Sequence, residues 1–352
     1  MTSMTQQIFP QQSTVEKILF LRKKEWDIYY SSQHKWPYLV IQELGYNIGR
    51  VNPGEYLIRQ ERQDPFMPDP DIPAEYSLTQ QDYENYKLFG GSPGHNAPAS
   101  QHKTTIAIFD QTFLYSNVTP QEIMFNSGAW VILENWVKQI CKNPVIKKSI
   151  CITGSIPDVR TTRLGASQIN IPTHMFKIFA ARPKLNPDLL PTDQWESASN
   201  TIYIACFLYP NIPINPTPKN VEIWRYMVSI TELEALTGFN FMPILVDKLN
   251  YSQGVTQLVN LSKLMSVEFL LSHDLEVQMT RSYMYGLLIY STTLEELDRN
   301  WLECEKHTGE FKYMQFHREY YDLAKARILS GDKLVIPHVT DNKSGLFLHN
   351  IV

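Results

Sequence analysis

The chain has 352 residues, 43% hydrophobic and 19% charged, with a net charge of −4, enough apolar material for one large core and a smaller one. No run approaches the roughly 18 consecutive apolar residues of a membrane-spanning helix, and residues 1–14 contain no Lys or Arg, which argues against a secretory signal or an Arg-rich mitochondrial presequence. Cys141, Cys151, Cys206 and Cys304 form no C-x-x-C pair, which argues against a zinc site or disulfide scaffold and fits a reducing compartment.

In chain order, residues 1–35 are polar and Gln/Ser-rich ahead of a Lys-containing stretch, and read as a mobile lead-in. Residues 36–245 mix β-branched runs with Pro, Gly and Asn turns; 104–109, 150–153, 174–180 and 201–209 have strand length and composition. The Pro/Asp-rich stretches 65–73 and 183–191 read as surface loops. The expected architecture is α+β, around an antiparallel or mixed sheet. Within 126–142, Ala129, Ile132, Leu133, Trp136, Val137 and Ile140 form an amphipathic stripe, leaving Asn126, Trp130 and Glu134 along another side of a helix that Asn126 opens. Residues 246–335 are helix-rich, with helical spacing at 261–271, 276–290, 294–305 and 316–329 and Gly331 as a stop, and read as a separate helical module; 336–352 form a tail.

Charge is distributed unevenly. Residues 135–184 carry nine basic side chains against Asp158 alone, a net +8, and the rest of the chain carries −12. Lys138, Lys142, Lys147, Lys148, Arg160 and Arg163 are the expected contacts to a nucleic-acid backbone, because cations beside phosphates release counterions. Near this zone lies Gly91-Ser-Pro-Gly-His95-Asn-Ala-Pro-Ala-Ser100, where Gly and Pro around a lone His predict an exposed turn with a functional imidazole. Taken singly, Asn126 reads as an ordinary helix cap and Glu134 as a solvent-facing charge.

The ordered set reads differently. His95 is followed at 22, 31 and 39 residues by Asn117, Asn126 and Glu134, with Phe113-Leu-Tyr-Ser-Asn117-Val-Thr-Pro-Gln121 between. This series resembles the ββα-metal DNA/RNA non-specific endonucleases of the endonuclease G class, marked by a D-R-G-H or S-R-G-H turn, a Y-L-S-N-x-x-P-Q stretch, an Asn opening a helix and a Glu two turns later. Residues 62–73, 171–179 and 237–243 extend the resemblance, and the helical end is most similar to the mitochondrial exo/endonuclease G branch. The resemblance implies a ββα-metal nuclease core over 36–245 with a C-terminal helical wing, Mg²⁺ or Mn²⁺ as cofactor, DNA and/or RNA as substrate, a homodimer, and a mitochondrial location. It also implies that Arg62 grips phosphate and Asn117 positions the histidine or its loop.

Physical chemistry assigns the remaining roles. Phosphodiester hydrolysis needs an activated water and a cation at the developing charge. His95 can take the water's proton near neutral pH, and a magnesium-type ion that keeps most of its waters needs few protein ligands, here Asn126, with Glu134 orienting the waters. The expected products are 5′-phosphate and 3′-hydroxyl ends. Pro93 stands where the family turn has Arg, and Pro has neither charge nor donor for a phosphate. Two expectations follow from it: a nuclease of reduced rate, and a nuclease-fold protein that binds nucleic acid or a protein partner.

Overall fold

Strands in this chain alternate two sets of apolar side chains, and both faces of the resulting sheet are covered. The computed structural model describes residues 4–9, 16–53, 66–87, 90–142, 146–157, 163–164, 169–183, 201–214, 223–250, 257–260, 273–307 and 314–333. Helix α1 (Met4–Ile8) leads into β1 (Ile18–Arg22), β2 (Trp26–Ser31) and β3 (Pro37–Leu44); after α2 (Gln80–Lys87) come β4 (Gly91–His95), α3 (Ile106–Gln111) and β5 (Val118–Glu122). A helical rod follows, built from α4 (Ile123–Phe125), a π-helical turn (Asn126–Trp130) and α5 (Val131–Ile140). Beyond it lie β6 (Ile146–Ile156), β7 (Arg163–Leu164), β8 (Ile169–Asn170), β9 (His174–Pro183), β10 (Thr201–Pro210), β11 (Met227–Val228), α6 (Ile230–Thr237), α7 (Met242–Lys248) and β12 (Gln257–Asn260). Three helices close the described chain: α8 (His273–Ile289), α9 (Leu294–His307) and α10 (Met314–Ser330).

The large sheet has the order β1-β2-β3-β6-β9-β10-β11, antiparallel throughout, with β12 added parallel to β10, so it is mixed. Along β6, β9 and β10, Ile150, Ile152, Ile178, Ala180, Cys206 and Leu208 face one core, shared with Ile8, Phe9, Leu233, Phe241 and Leu245. Cys151, Phe179, Ala181, Ala205 and Phe207 face the other, which the stripe Ala129, Ile132, Leu133, Trp136, Val137 and Ile140 covers. Period-two alternation on the strands meeting a helical stripe is what buries both, and each large apolar side chain so covered stabilises the fold by about 1.5–3 kcal/mol. All four cysteines are buried free thiols. Among the described residues, no helix is long and apolar enough to cross a membrane.

Several expectations are corrected. Residues 1–35 are not a mobile lead-in: α1 buries Ile8, and β1 and β2 are strands of the main sheet with Trp26, Ile28 and Tyr30 in the core. Residues 104–109 do not form a strand; Thr105 accepts from the Ile108 amide and starts α3 there, because a capping hydroxyl outweighs the weak β preference of a short β-branched run. The described part of 65–73 is not a surface loop throughout, since Asp69 is buried against Lys23 Nζ (2.7 Å) and Ser116. The helix-rich stretch also contributes β12, a short strand that joins the main sheet beside β10. Residues 261–271, 184–191 and 336–352 lie outside the described residues. Helices α8 to α10 fall where helical spacing predicts them, and Gly331 (φ 74°) ends the last, a left-handed turn that glycine adopts without steric cost.

Candidate functional site

The site lies where a two-stranded ribbon meets the helical rod. His95 ends β4, which pairs with β5 in unbroken register from Gly91 opposite Glu122 to His95 opposite Val118. The predicted exposed turn is therefore a strand, and His95 is half-buried, its ring 5.2 Å from that of Phe66 and 5.1 Å from that of Phe113. The glycines serve packing here: a Cβ on Gly91 would stand 2.0 Å from the Tyr86 ring, and one on Gly94 2.1 Å from the Gln121 amide carbon. Pro93 faces Pro120 across the ribbon, so two residues without N–H groups share one rung and neither strands a partner.

The chain after His95 is clamped. Asn117 Oδ1 accepts from the Ala97 amide (2.9 Å), and its Nδ2 donates to the carbonyls of Ala97 and Thr112 (both 2.9 Å). Asn96, beside His95, donates through Nδ2 to the Asn117 carbonyl (3.0 Å) and Thr119 Oγ1 (2.9 Å), and its backbone amide bonds the Asn117 carbonyl. Asn96 is thus held by buried hydrogen bonds through its side-chain amide and its backbone. On the far side, Gln42 Nε2 donates to the Asn96 carbonyl (3.3 Å), while Gln42 Oε1 lies 2.7 Å from His102 Nε2 and Glu25 Oε2 lies 2.6 Å from His102 Nδ1. His102 and Gln42 carry no distinctive spacing in the sequence, and only the fold joins them to the His95 loop.

Asn126 does not open its helix. Glu122 is the cap, accepting from the amides of Met124 (2.9 Å) and Phe125 (2.7 Å), and Asn126 begins the π-turn one helical turn later. Freed from capping, its amide Nδ2 donates to Ser92 Oγ (2.9 Å), which leaves Oδ1 as the atom that can meet a cation. Ser92 precedes His95 by three residues, about 10 Å along an extended strand, so this hydrogen bond fastens the rod to the histidine's own strand. π-turns inside α-helices recur at functional positions because they reset the direction of the side chains beyond them. From the end of the turn onward, Trp130 and Glu134 both face Lys177.

Glu134 is buried at 8% exposure rather than solvent-facing. Burial pushes its carboxyl up to about 7, and the charge of Lys177 pulls the other way. Lys177, 1% exposed, donates to Thr153 Oγ1 (2.7 Å) and stands 4.6 Å from the Trp130 ring centroid. Sequence reasoning counted Lys177 only as part of a basic zone; a lone Lys in an otherwise apolar strand was the available signal. Because the folded carboxyl ionises above its unfolded value of 4.5, its stabilising contribution is complete below 4.5 and is lost as pH rises through about 7. In metal-free buffer, Glu134→Gln should gain stability relative to the parent by on the order of 3 kcal/mol between pH 4.5 and pH 8. Urea unfolding at both pH values measures it, and an unchanged difference would contradict a buried ionisable Glu134.

The basic residues divide. Lys138, at the far end of α5, is held down by burial and by the charges of Lys103 and Lys142, so these three converge. Lys147 is exposed, whereas Lys148 pairs with Glu43 Oε2 at 3.4 Å. Arg62 and Arg160 lie outside the described residues, as does the side chain of Arg163. Among the described residues, no group of three or more His, Cys, Asp or Glu side chains could hold a metal.

A histidine-bearing ribbon, packed on a rod whose early turn presents an asparagine beside it, defines the ββα-metal class. The chain matches the family model described as DNA/RNA non-specific endonuclease over residues 5–248, and it belongs to that family. It is 26% identical over 227 residues to the Danio rerio protein "Nuclease EXOG, mitochondrial", covering 61% of this chain and 58% of that one. It is 24% identical to the Homo sapiens protein "Endonuclease G, mitochondrial", covering 55% and 62%. The chain thus spans about half to three-fifths of the length of such curated relatives. Among solved structures, an endonuclease G complexed with its inhibitor aligns with a TM-score of 0.52 at 22% identity, over 73% of this chain and 96% of that one, a likeness of fold.

Proposed function

We propose that this chain hydrolyses DNA or RNA phosphodiester bonds with the assistance of a magnesium-type ion. The observation that carries the proposal is the Asn126 to Ser92 hydrogen bond, which ties the candidate cation ligand to the strand that ends in the candidate base. Bound at Asn126, a hard divalent ion would supply electrostatic stabilisation of the charge that develops on the leaving oxygen. His95 takes the proton of the attacking water, while Asn117 and Asn96 hold the following chain so that the imidazole keeps its aim. Glu134, as a carboxylate, would orient the hydration waters of such an ion, and Lys177 favours that charged form. Arg62 is carried as a phosphate contact by family resemblance alone.

The products we propose are 5′-phosphate and 3′-hydroxyl ends, with Mg²⁺ or Mn²⁺ as the ion; homodimeric assembly and a mitochondrial setting are proposed on the likeness to the exo/endonuclease G branch. The direct test is labelled single- and double-stranded DNA and RNA, incubated with Mg²⁺ or Mn²⁺ against EDTA. Cleavage only with metal is expected; metal-independent cleavage, or none at all, overturns the proposal. Pro93 favours the second reading, a nucleic-acid or protein binding module, because it offers a phosphate no donor.

Lys138 follows Asn126 by twelve residues, about 18 Å along a helix, and one strand of B-form DNA carries a charge every ~3.4 Å. The Lys103, Lys138 and Lys142 cluster would then meet phosphates about five base pairs from the cleaved bond. Lys142→Glu should weaken duplex binding and reduce the slope of log affinity against log salt by about 1, whereas Lys148→Glu, already paired with Glu43, should do less. Fluorescence titration between about 50 and 200 mM salt measures both; a flat dependence for the parent would remove nucleic acid as the main ligand.

A further inference from the structure

The C-terminal helices and the rod that carries Asn126 share one core. Ile123 and Met124, at the start of the rod, are packed into the cluster formed by Met284, Tyr285, Leu288 and Ile289 of α8 with residues of α9 and α10. The contact extends from the start of the rod onto the π-turn. A Cβ on Gly128 would lie 2.7 Å from Ser282 Oγ, and one on Gly286 2.4 Å from Met124 Sδ, so α8 lies against the turn at backbone range. Ser282 Oγ donates to the Met124 carbonyl (2.9 Å), and Tyr290, just past the end of α8, donates its hydroxyl to the Glu122 carboxylate that caps the rod.

A widened turn disturbs the regular ladder of helix amides and carbonyls, and buried backbone groups so displaced need other partners. At the approach to this turn the Ile123 carbonyl accepts from Ser127 Oγ (2.6 Å) and the Met124 carbonyl accepts from Ser282. The first partner belongs to the rod. The second comes from a helix about 160 residues further along the chain.

Resting on the proposed function, we infer that Ser282 and Tyr290 are positioning residues of the cation site: their two hydroxyls hold the start of the rod, at the Met124 carbonyl and the capping Glu122, in the geometry that presents Asn126 Oδ1. The helical module is then a working part of the site, joined to it through hydrogen bonds. Ser92 fixes the side chain of Asn126 from the ribbon, and Ser282 and Tyr290 fix the Met124 carbonyl and the Glu122 carboxylate of the segment that leads into it. Neither hydroxyl touches substrate or ion; both act through Asn126.

The test uses the full chain and Mn²⁺ alone, with free Mn²⁺ read by electron paramagnetic resonance in the absence of nucleic acid. Ser282→Ala and Tyr290→Phe each remove one hydroxyl and keep the packing. Each is expected to weaken Mn²⁺ binding by about tenfold or more, the usual effect of removing a group that orients a metal ligand. Their kcat at saturating Mn²⁺ and their KM for nucleic acid should stay near the parent values, a split that general destabilisation would not produce. Hydrogen exchange at 124–130 should speed up in the same variants. Parent-like Mn²⁺ affinity in both variants overturns the inference and leaves the nuclease reading standing; a parent chain that binds no Mn²⁺ overturns that reading and this one with it. Should Ser282→Ala fail to fold, Tyr290→Phe decides alone.

Discussion

His95→Ala is expected to lower metal-dependent cleavage by about 10²- to 10⁴-fold, the contribution of a positioned general base. The imidazole packs beside the rings of Phe66 and Phe113 at the end of a strand whose pairing does not depend on it. Removal should therefore leave the ribbon in register, and the hydrogen bonds of Asn96 and Asn117 hold the next residues in place without it. Mn²⁺ binding should survive, because the proposed ligand is on the rod. Single-turnover kinetics with saturating metal, alongside a melting curve, separate loss of chemistry from loss of fold. Cleavage by His95→Ala at the parent's rate would remove the histidine from the mechanism.

Pro93→Arg should act in the opposite direction, raising the rate of the chemical step by about 10²-fold, since one missing donor to the transition state costs about that much. Pro93 sits within β4, in register with Pro120 and two residues from His95, so an Arg there projects from the same side of the strand. The backbone there is already paired as a strand. Metal affinity should be unchanged. The increase should appear in kcat and weaken with truncated substrates that lack the contacted phosphate. No activity in either the parent or Pro93→Arg, with tight nucleic-acid binding retained, would leave the binding-module reading as the function.

Two bland readings of single residues gave way in the fold, each for a local reason. Asn126 is a common capping residue, but capping belongs to Glu122, whose longer side chain reaches back to the Met124 and Phe125 amides and lets the rod begin one turn earlier. Glu134 has the look of a surface charge, and yet the sheet carries Lys177 beneath the same helix, so the carboxylate is buried beside a buried cation. The α5 stripe and the α8 to α10 helices were legible because helical periodicity is a local property. Residues 104–109 differ from their strand-like composition because a short β-branched run carries too little local information to outweigh a capping threonine.

Sequence alone determined the class of the fold, the family resemblance, the order His95, Asn117, Asn126 and Glu134, and the stripe that packs α5 on the sheet; these rest on residue type and spacing, which need no tertiary knowledge. Tertiary structure alone decided that residues 18–31 complete the sheet, that Lys177 is an internal partner of Glu134 while Lys148 is neutralised by Glu43, and that α8 is bonded to the turn bearing Asn126. Each of those is a meeting of groups distant in the chain, and a hydrogen bond or ion pair of that kind leaves no periodic trace in the sequence, because its two ends are set by how separate elements pack.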